Sequence, residues 1–331
     1  MHVCEVALIS GGNLALTGRG AGVCCVIMMT QSRRDFLKVA IGAALTTPLF
    51  AATKGDRWKF AICNETFKDW PHEKAFAFAA ECGYTGLELA PFTFANNVRD
   101  INKIQRAEIR QLAKSKRLEI IGLHWLLAKT EGFYLTSPER DVRRKTADYF
   151  GDLARFCADL GGKLMVLGSP QQRNLLPGVT HAEAMKFAAD TLRMAMPALE
   201  KAKVTMALEP LAPGGTTFMT TAAQGVELAG LVDSPYCKLH LDCRAMSSEP
   251  TPIPDLLRKH RTLLHHFHAN DANSQGPGFG KTDFVPIFTA LRDINYRGWV
   301  SVEIFDYSPT PERLARESIA YMKKCVAQLP K

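Results

Sequence analysis

The chain has 331 residues, of which 47% are hydrophobic and 22% charged, a globular composition with enough apolar material for a large core. Its formal charge of +8 is scattered along the chain, with no basic run and no interleaved aromatic platform, which argues against a nucleic-acid partner. The length admits one domain or two, and a single α/β barrel of about 250 residues fits within it.

Residues 1–28 are Gly-rich, contain Cys4, Cys24 and Cys25, and read as an extension upstream of a true start at Met28 or Met29. Residues 29–52 have the layout of a secretory signal: Arg33, Arg34 and Lys38, then an apolar stretch from Val39 to Phe50, then the small residues Ala51 and Ala52. The paired Arg33-Arg34 followed by Phe36 and Leu37 resembles the twin-arginine export motif. The apolar stretch falls short of the roughly 20 residues that span a bilayer. The expectation is therefore passage through the twin-arginine translocase to the periplasm, ending in a cleaved leader or an uncleaved anchor.

From residue 58 onward, short apolar runs alternate with longer segments of helical period. Strands are predicted at 58–63, 85–90, 118–125, 163–168, 204–209, 237–242, 263–269 and 299–305. The helices that follow them are predicted at 72–82, 101–115, 138–160, 181–202, 220–231, 253–260, 284–294 and 310–327. Gly83 and Gly161-Gly162 stand where helices should stop. Eight such units with no linker predict that residues 53–331 form one α/β domain, a closed parallel (β/α)₈ TIM barrel. An open doubly wound sheet would call for a phosphate-binding Gly motif after the first strand, and Cys63-Asn64-Glu65-Thr66 is not one. Cys63, Cys82, Cys157, Cys237, Cys243 and Cys325 have irregular spacings inside apolar segments and read as buried free thiols rather than a zinc or redox motif.

In such a barrel the chemistry sits at the C-terminal ends of the strands. The fifth predicted strand ends Leu208-Glu209-Pro210, the sixth His240-Leu241-Asp242, the seventh His266-Phe267-His268 and the eighth Val302-Glu303. Each acidic or imidazole group follows an apolar run, where an unpaired charge is costly. Taken singly, each reads as a salt bridge or a helix cap. Four on consecutive strands read as a metal site. Three carboxylates and one imidazole suit Mn²⁺ first, with Mg²⁺, Co²⁺ and Zn²⁺ as alternatives. Strand alternation puts His240 on the face of Asp242 and His266 on that of His268, so the deeper histidines are expected to support the outer residues.

The order Leu-Glu-Pro, Leu-Asp, His-x-His-x-x-Asp and Val-Glu resembles the sugar phosphate isomerase/epimerase superfamily, the xylose isomerase-like barrels. The resemblance covers roughly residues 58–328. It is carried best by the stretch 268–284, which resembles the family's seventh-strand loop, and by Gly298-Trp299-Val300-Ser301-Val302-Glu303. It implies that Glu209, Asp242, His268 and Glu303 bind one divalent ion. It also implies that Glu209 and Glu303 are the acid/base pair that moves a proton next to a sugar carbonyl through an enediolate. Candidate substrate-binding residues around the mouth are Glu88, His124, Trp125, Arg173 and Asp271. Export favours a non-phosphorylated sugar or keto-sugar.

The chain departs from the epimerase pattern at three substrate-orienting positions. A glutamate is replaced by Gly215, a histidine by Ala245 and an arginine by Ser274. Two further readings therefore stay open beside the isomerase or epimerase: a lyase or dehydratase acting on an inosose or 3-keto-glycoside, and a sugar-binding barrel without catalysis. Either a monomer or an oligomer is compatible with the sequence.

Overall fold

The computed structural model describes residues 58–329, together with two short strands, Leu8–Ile9 and Asn13–Leu14, that pair antiparallel as a unit of their own. The rest of the upstream extension and the whole export signal, 29–52, lie outside the described residues. Among the described residues no helix is long and apolar enough to cross a membrane.

Eight parallel strands close into one barrel. They are β1 (Lys59–Cys63), β2 (Gly86–Leu89), β3 (Glu119–Leu123), β4 (Leu164–Leu167), β5 (Thr205–Leu208), β6 (Cys237–Asp242), β7 (Leu264–Ala269) and β8 (Trp299–Val302). Closure is made by β8 against β1, with Trp299 opposite Lys59 and Val302 opposite Ile62. The strands are apolar almost throughout because side chains on one face fill the barrel and those on the other lie under helices. Every residue of β2, β4 and β5 is buried.

The covering helices are α1 (His72–Cys82), α2 (Lys103–Ser115), α3 (Arg140–Leu160), α4 (His181–Ala202), α5 (Ala222–Val232), the short α6 (Cys243–Met246), α7 (Ile253–Lys259), α8 (Phe284–Asp293) and α9 (Pro311–Ala327). Their ends follow local chemistry. Asn102 and Gln105 form a capping box on α2, as Thr180 and Glu183 do on α4. Gly83 and Gly161 close α1 and α3 in the left-handed conformation at φ 95° and 94°. The predicted single barrel is thus observed, with element ends differing by a few residues. The predicted strands 118–125 and 299–305 are shorter, ending at Leu123 and Val302; beyond the first of these Trp125 leaves the extended conformation at φ 53°. Helix α6 was not foreseen: Asp242 caps it by accepting from the Ala245 N–H at 2.7 Å. All six cysteines of the barrel are free thiols; five are buried and Cys82 is half-buried.

Two irregularities bear on the site. The strand register shifts between Leu87 and Glu88 and again between Leu239 and His240. Such bulges re-aim the side chains that follow them, and here those are buried polar groups inside the barrel. Tight packing at Gly122 has the opposite character. A Cβ there would meet the Leu164 carbonyl oxygen at 2.2 Å, so β3 and β4 approach closely only because the residue is glycine. Gly122→Ala is expected to cost about 1–3 kcal/mol through overpacking against backbone, read as a lower urea midpoint at unchanged slope; an unchanged midpoint would show that the strands separate freely.

Candidate active site

The sequence positions converge because parallel strands of one register deliver their last residues to the same rim. Glu209 follows β5, Asp242 ends β6, His268 lies in β7 and Glu303 follows β8. All four are buried. Ligand atoms of Glu209, Asp242, His268 and His240 lie within 4.8 Å of one another. Glu303 joins them by accepting from His268 Nδ1 at 2.9 Å. On its other side, His268 Nε2 donates to both Glu88 oxygens at 3.1 Å. Burial works against an imidazolium at His268, but Glu88 and Glu303 outweigh it and hold the pKa well above the usual histidine range.

Glu209 owes its position to two neighbours. Gly168, after β4, leaves room for it: a Cβ at that residue would lie 1.7 Å from Glu209 Oε2. Arg173 holds its backbone, donating from Nη1 to the carbonyl of Glu209 at 2.7 Å and to that of Leu167 at 3.2 Å. This ties together the ends of β4 and β5. Arg173 is itself buried, and burial pushes its pKa down to about 10. It was expected to touch substrate; the structure places it beneath the site rather than in the lining.

The other sequence candidates divide in the same way. Trp125 lines the mouth, held in the left-handed region at φ 53° and set edge-on to Phe92 and Phe305. A bulky residue in that conformation stores strain of about 1–3 kcal/mol, and such strain is common at binding sites. His124 is buried and bonded to Glu65 at 2.7 Å, and Glu88 is consumed by His266 at 2.8 Å and by His268. Asp271 is spent on its own loop. Its carboxylate accepts from the N–H groups of Ala272, Gly280 and Thr282 and from the Thr282 hydroxyl, fixing the segment after β7.

The support expected from the deeper histidines takes another form. His266 reaches His268 through Glu88 rather than directly, and His240 faces Glu209 at 3.7 Å while Asn270 and the Ala245 N–H hold Asp242. Glu65, Asn270, Arg244 and Phe305 were not singled out from sequence. Asn270 sits two residues after His268, which is the only local signal it gives.

Several observations fit a divalent cation. The converging donors are carboxylate oxygens and imidazole nitrogens. Oε1 of Glu209 and both ring nitrogens of His240 are buried and make no hydrogen bond to the protein, an arrangement costly without a further partner. Above them opens a pocket of about 130 Å³ whose lining includes Trp125, Gly168, Glu209, Arg244, Glu303 and Phe305.

Comparison with known proteins agrees with the geometry. The family described as xylose isomerase-like TIM barrel matches residues 76–325. The probable ketose 3-epimerase of Synechocystis sp. is 24% identical over 275 residues, covering 76% of this chain and 90% of that protein. The 3-dehydro-D-guloside 4-epimerase of Escherichia coli is 24% identical over 274 residues, covering 81% of this chain and 100% of that protein. Among solved structures, the D-psicose 3-epimerase of Clostridium cellulolyticum H10, determined with D-tagatose, superposes with a TM-score of 0.71 at 22% identity. It covers 82% of this chain and 100% of its own, a likeness of fold.

The electrostatics of the cluster make a pH signature. Burial, and then the charge of Glu303, pushes the Asp242 carboxyl up to about 6. Burial, Glu303 and Asp242 together push Glu209 well above the usual carboxylate range. A carboxyl whose pKa rises on folding holds its proton more tightly in the native state. Without a counter-cation the barrel therefore loses stability as pH rises from 3.8, the ordinary aspartate value, through about 6. A bound cation competes with those protons. The rise in melting temperature on adding Mn²⁺ is expected to be large above pH 6 and to shrink below it; a rise equal on both sides would contradict this arrangement.

Proposed function

The chain belongs to the xylose isomerase-like TIM barrel family and is an isomerase- or epimerase-like enzyme, and we propose that it moves a proton next to the carbonyl of a non-phosphorylated sugar or keto-sugar with the help of one divalent ion. The observation that carries the reading is the presence of Glu209 and Glu303 together in the lining of one pocket, at the ends of β5 and β8.

Glu209, Asp242, His268 and Glu303 would hold the ion. When bound, it supplies Lewis-acid polarisation of a carbonyl and a neighbouring hydroxyl. The protein's own groups do the rest. One glutamate takes the proton from the carbon beside the carbonyl, and the other returns a proton to the same or the neighbouring carbon. Burial and the neighbouring Glu303 and Asp242 raise the pKa of Glu209, and a bound cation opposes that shift. The hydrogen bond between His268 Nδ1 and Glu303 would give way when the two groups turn to the ion, while Glu88 holds His268 through Nε2. Trp125 and Phe305 offer aromatic faces against which a sugar ring packs.

A second reading has an observation of its own. Gly215 lines the pocket, and a Cβ built there meets only the Ala212 carbonyl oxygen, at 3.3 Å. The mouth is open on that side, where an aglycone would sit. The same proton abstraction with a leaving group on the next carbon gives β-elimination from a 3-keto-glycoside. One assay separates the two readings, since the epimerase yields a stereoisomer and the lyase releases the aglycone.

Glu209→Gln and Glu303→Gln, folded and with metal content measured alongside, are expected to lower kcat by about a hundredfold or more on keto-sugars and 3-keto-glycosides. Full activity in either metal-loaded variant would remove that residue from proton transfer. Elemental analysis is expected to find about one divalent ion per wild-type chain and none after His268→Ala.

Export by the twin-arginine route is part of the proposal, supported by Arg33-Arg34 and the short apolar run after them. Replacing both arginines by lysine is expected to leave the protein in the cytoplasmic fraction, whereas the parent reaches the periplasm; equal export of both would exclude that route.

A further inference from the structure

We propose that Arg244 receives a carboxylate of the substrate, so that the enzyme acts on a sugar acid with a keto group rather than on a neutral keto-sugar; this rests on the sugar-enzyme reading of the pocket.

Arg244 stands two residues after Asp242 on α6 and lines the pocket that Glu209 and Glu303 also line. It is the single cation of that lining. Its placement is built from three directions. Nε donates to the Ser274 hydroxyl at 2.8 Å, the backbone N–H donates to Asn270 Oδ1 at 2.8 Å, and the guanidinium carbon lies 5.1 Å from the centre of the Phe305 ring. Ser274 is a junction between loops. It sits in the left-handed region at φ 73°, and its carbonyl accepts from the N–H groups of Phe305 and Asp306 at 2.9 and 2.8 Å. One residue of the segment after β7 thus fixes both the cation from the β6 side and the aromatic ring from the β8 side.

That anchoring uses only Nε. Nη1 and Nη2 make no hydrogen bond to the protein, and no carboxylate lies within ion-pairing distance of Arg244 among the described residues. Arg99, Arg106 and Arg143, by contrast, each hold an aspartate. A guanidinium stacked on an aromatic ring, with its outer donors free, is pre-organised for a planar, bidentate anion. A carboxylate matches that fork.

The charge layout supports a monoanion. Glu209, Asp242 and Glu303 together carry more charge than one divalent ion neutralises, so the floor stays unfavourable to an anion and the acidic end of a substrate is drawn to Arg244. This turns its carbonyl end toward the two glutamates. A phosphate dianion would meet the same floor with more charge and only one cation to receive it.

The test compares three ligands of one carbon skeleton on Mn²⁺-loaded protein: fructuronate, fructose and fructose 6-phosphate. Binding is read by calorimetry and turnover by product analysis. Wild type is expected to bind fructuronate about tenfold or more tighter than the other two, an effect carried in KM rather than kcat. In Arg244→Gln and Arg244→Ala the ratio of fructuronate to fructose affinity should fall to about one, with Arg244→Lys between. Ser274→Ala should lower the ratio without abolishing it. No preference in wild type, preference for the phosphate, or equal losses on fructuronate and fructose in the Arg244 variants would each overturn the proposal. Arg244-dependent binding of the acid without turnover of any sugar would sustain it while removing the proton-transfer reading. Turnover without acid preference would do the reverse.

Discussion

Negative charge gathered inside a closed barrel governs the architecture of this site. Glu209, Asp242 and Glu303 come together because β5, β6 and β8 of one closed barrel end at the same level, and Glu65 and Glu88 lie within the same interior. Carboxylates removed from water are stable only when protonated, paired or bound to a cation, and the protein uses each device. Glu88 is held well below its usual pKa because, against burial, His266 and His268 donate to it. Glu209 and Asp242 have no histidine donating to them in this way, and burial with the neighbouring Glu303 outweighs the Asn270 and Ala245 bonds to Asp242, so both move the other way. Buried carboxylates of one barrel interior thus differ in pKa according to the balance between burial and the groups that face them.

Supporting residues follow from this constraint. A register shift before Glu88 and another before His240 turn these side chains among the others. Arg173 holds the backbone under Glu209, and its charge favours the ionised form of that carboxylate without reaching the pocket. Gly168 is there for space, since any side chain would occupy the place of the Glu209 carboxylate. Asp271 stiffens the segment that carries Ser274, and through Ser274 it steadies both Arg244 and Phe305. Residues that never touch a ligand can therefore set the position of those that do.

Most of the barrel was legible because strand and helix periods differ and the chain alternates between them without interruption. The residues that close β5, β6 and β8 and the outer histidine of β7 were legible for a related reason: an acid or imidazole after an apolar run is conspicuous. Partnership was not legible. Nothing in the spacing of Arg173 says that its guanidinium turns down onto two carbonyls, and nothing in the His-x-x-Asp stretch says that Asp271 turns back onto its own loop. Such choices depend on how loops from different strands meet, over separations such as that from Leu167 to Glu209. Trp125 was legible because it was judged by what its side chain offers at a strand end, and there the local backbone keeps it in the mouth.

The three departures from the epimerase pattern take on a common physical meaning in the structure. Gly215 leaves one wall of the mouth without a side chain, and Ala245 is a small buried residue whose N–H is bound to Asp242. Ser274, standing where an arginine is expected, carries no charge but bonds to the arginine that precedes Ala245. The mouth therefore carries its guanidinium on the β6 side, steadied by Ser274 from the β7 side. On the proton-transfer reading, the floor would set which bond is made acidic and the lining around it which molecule presents that bond.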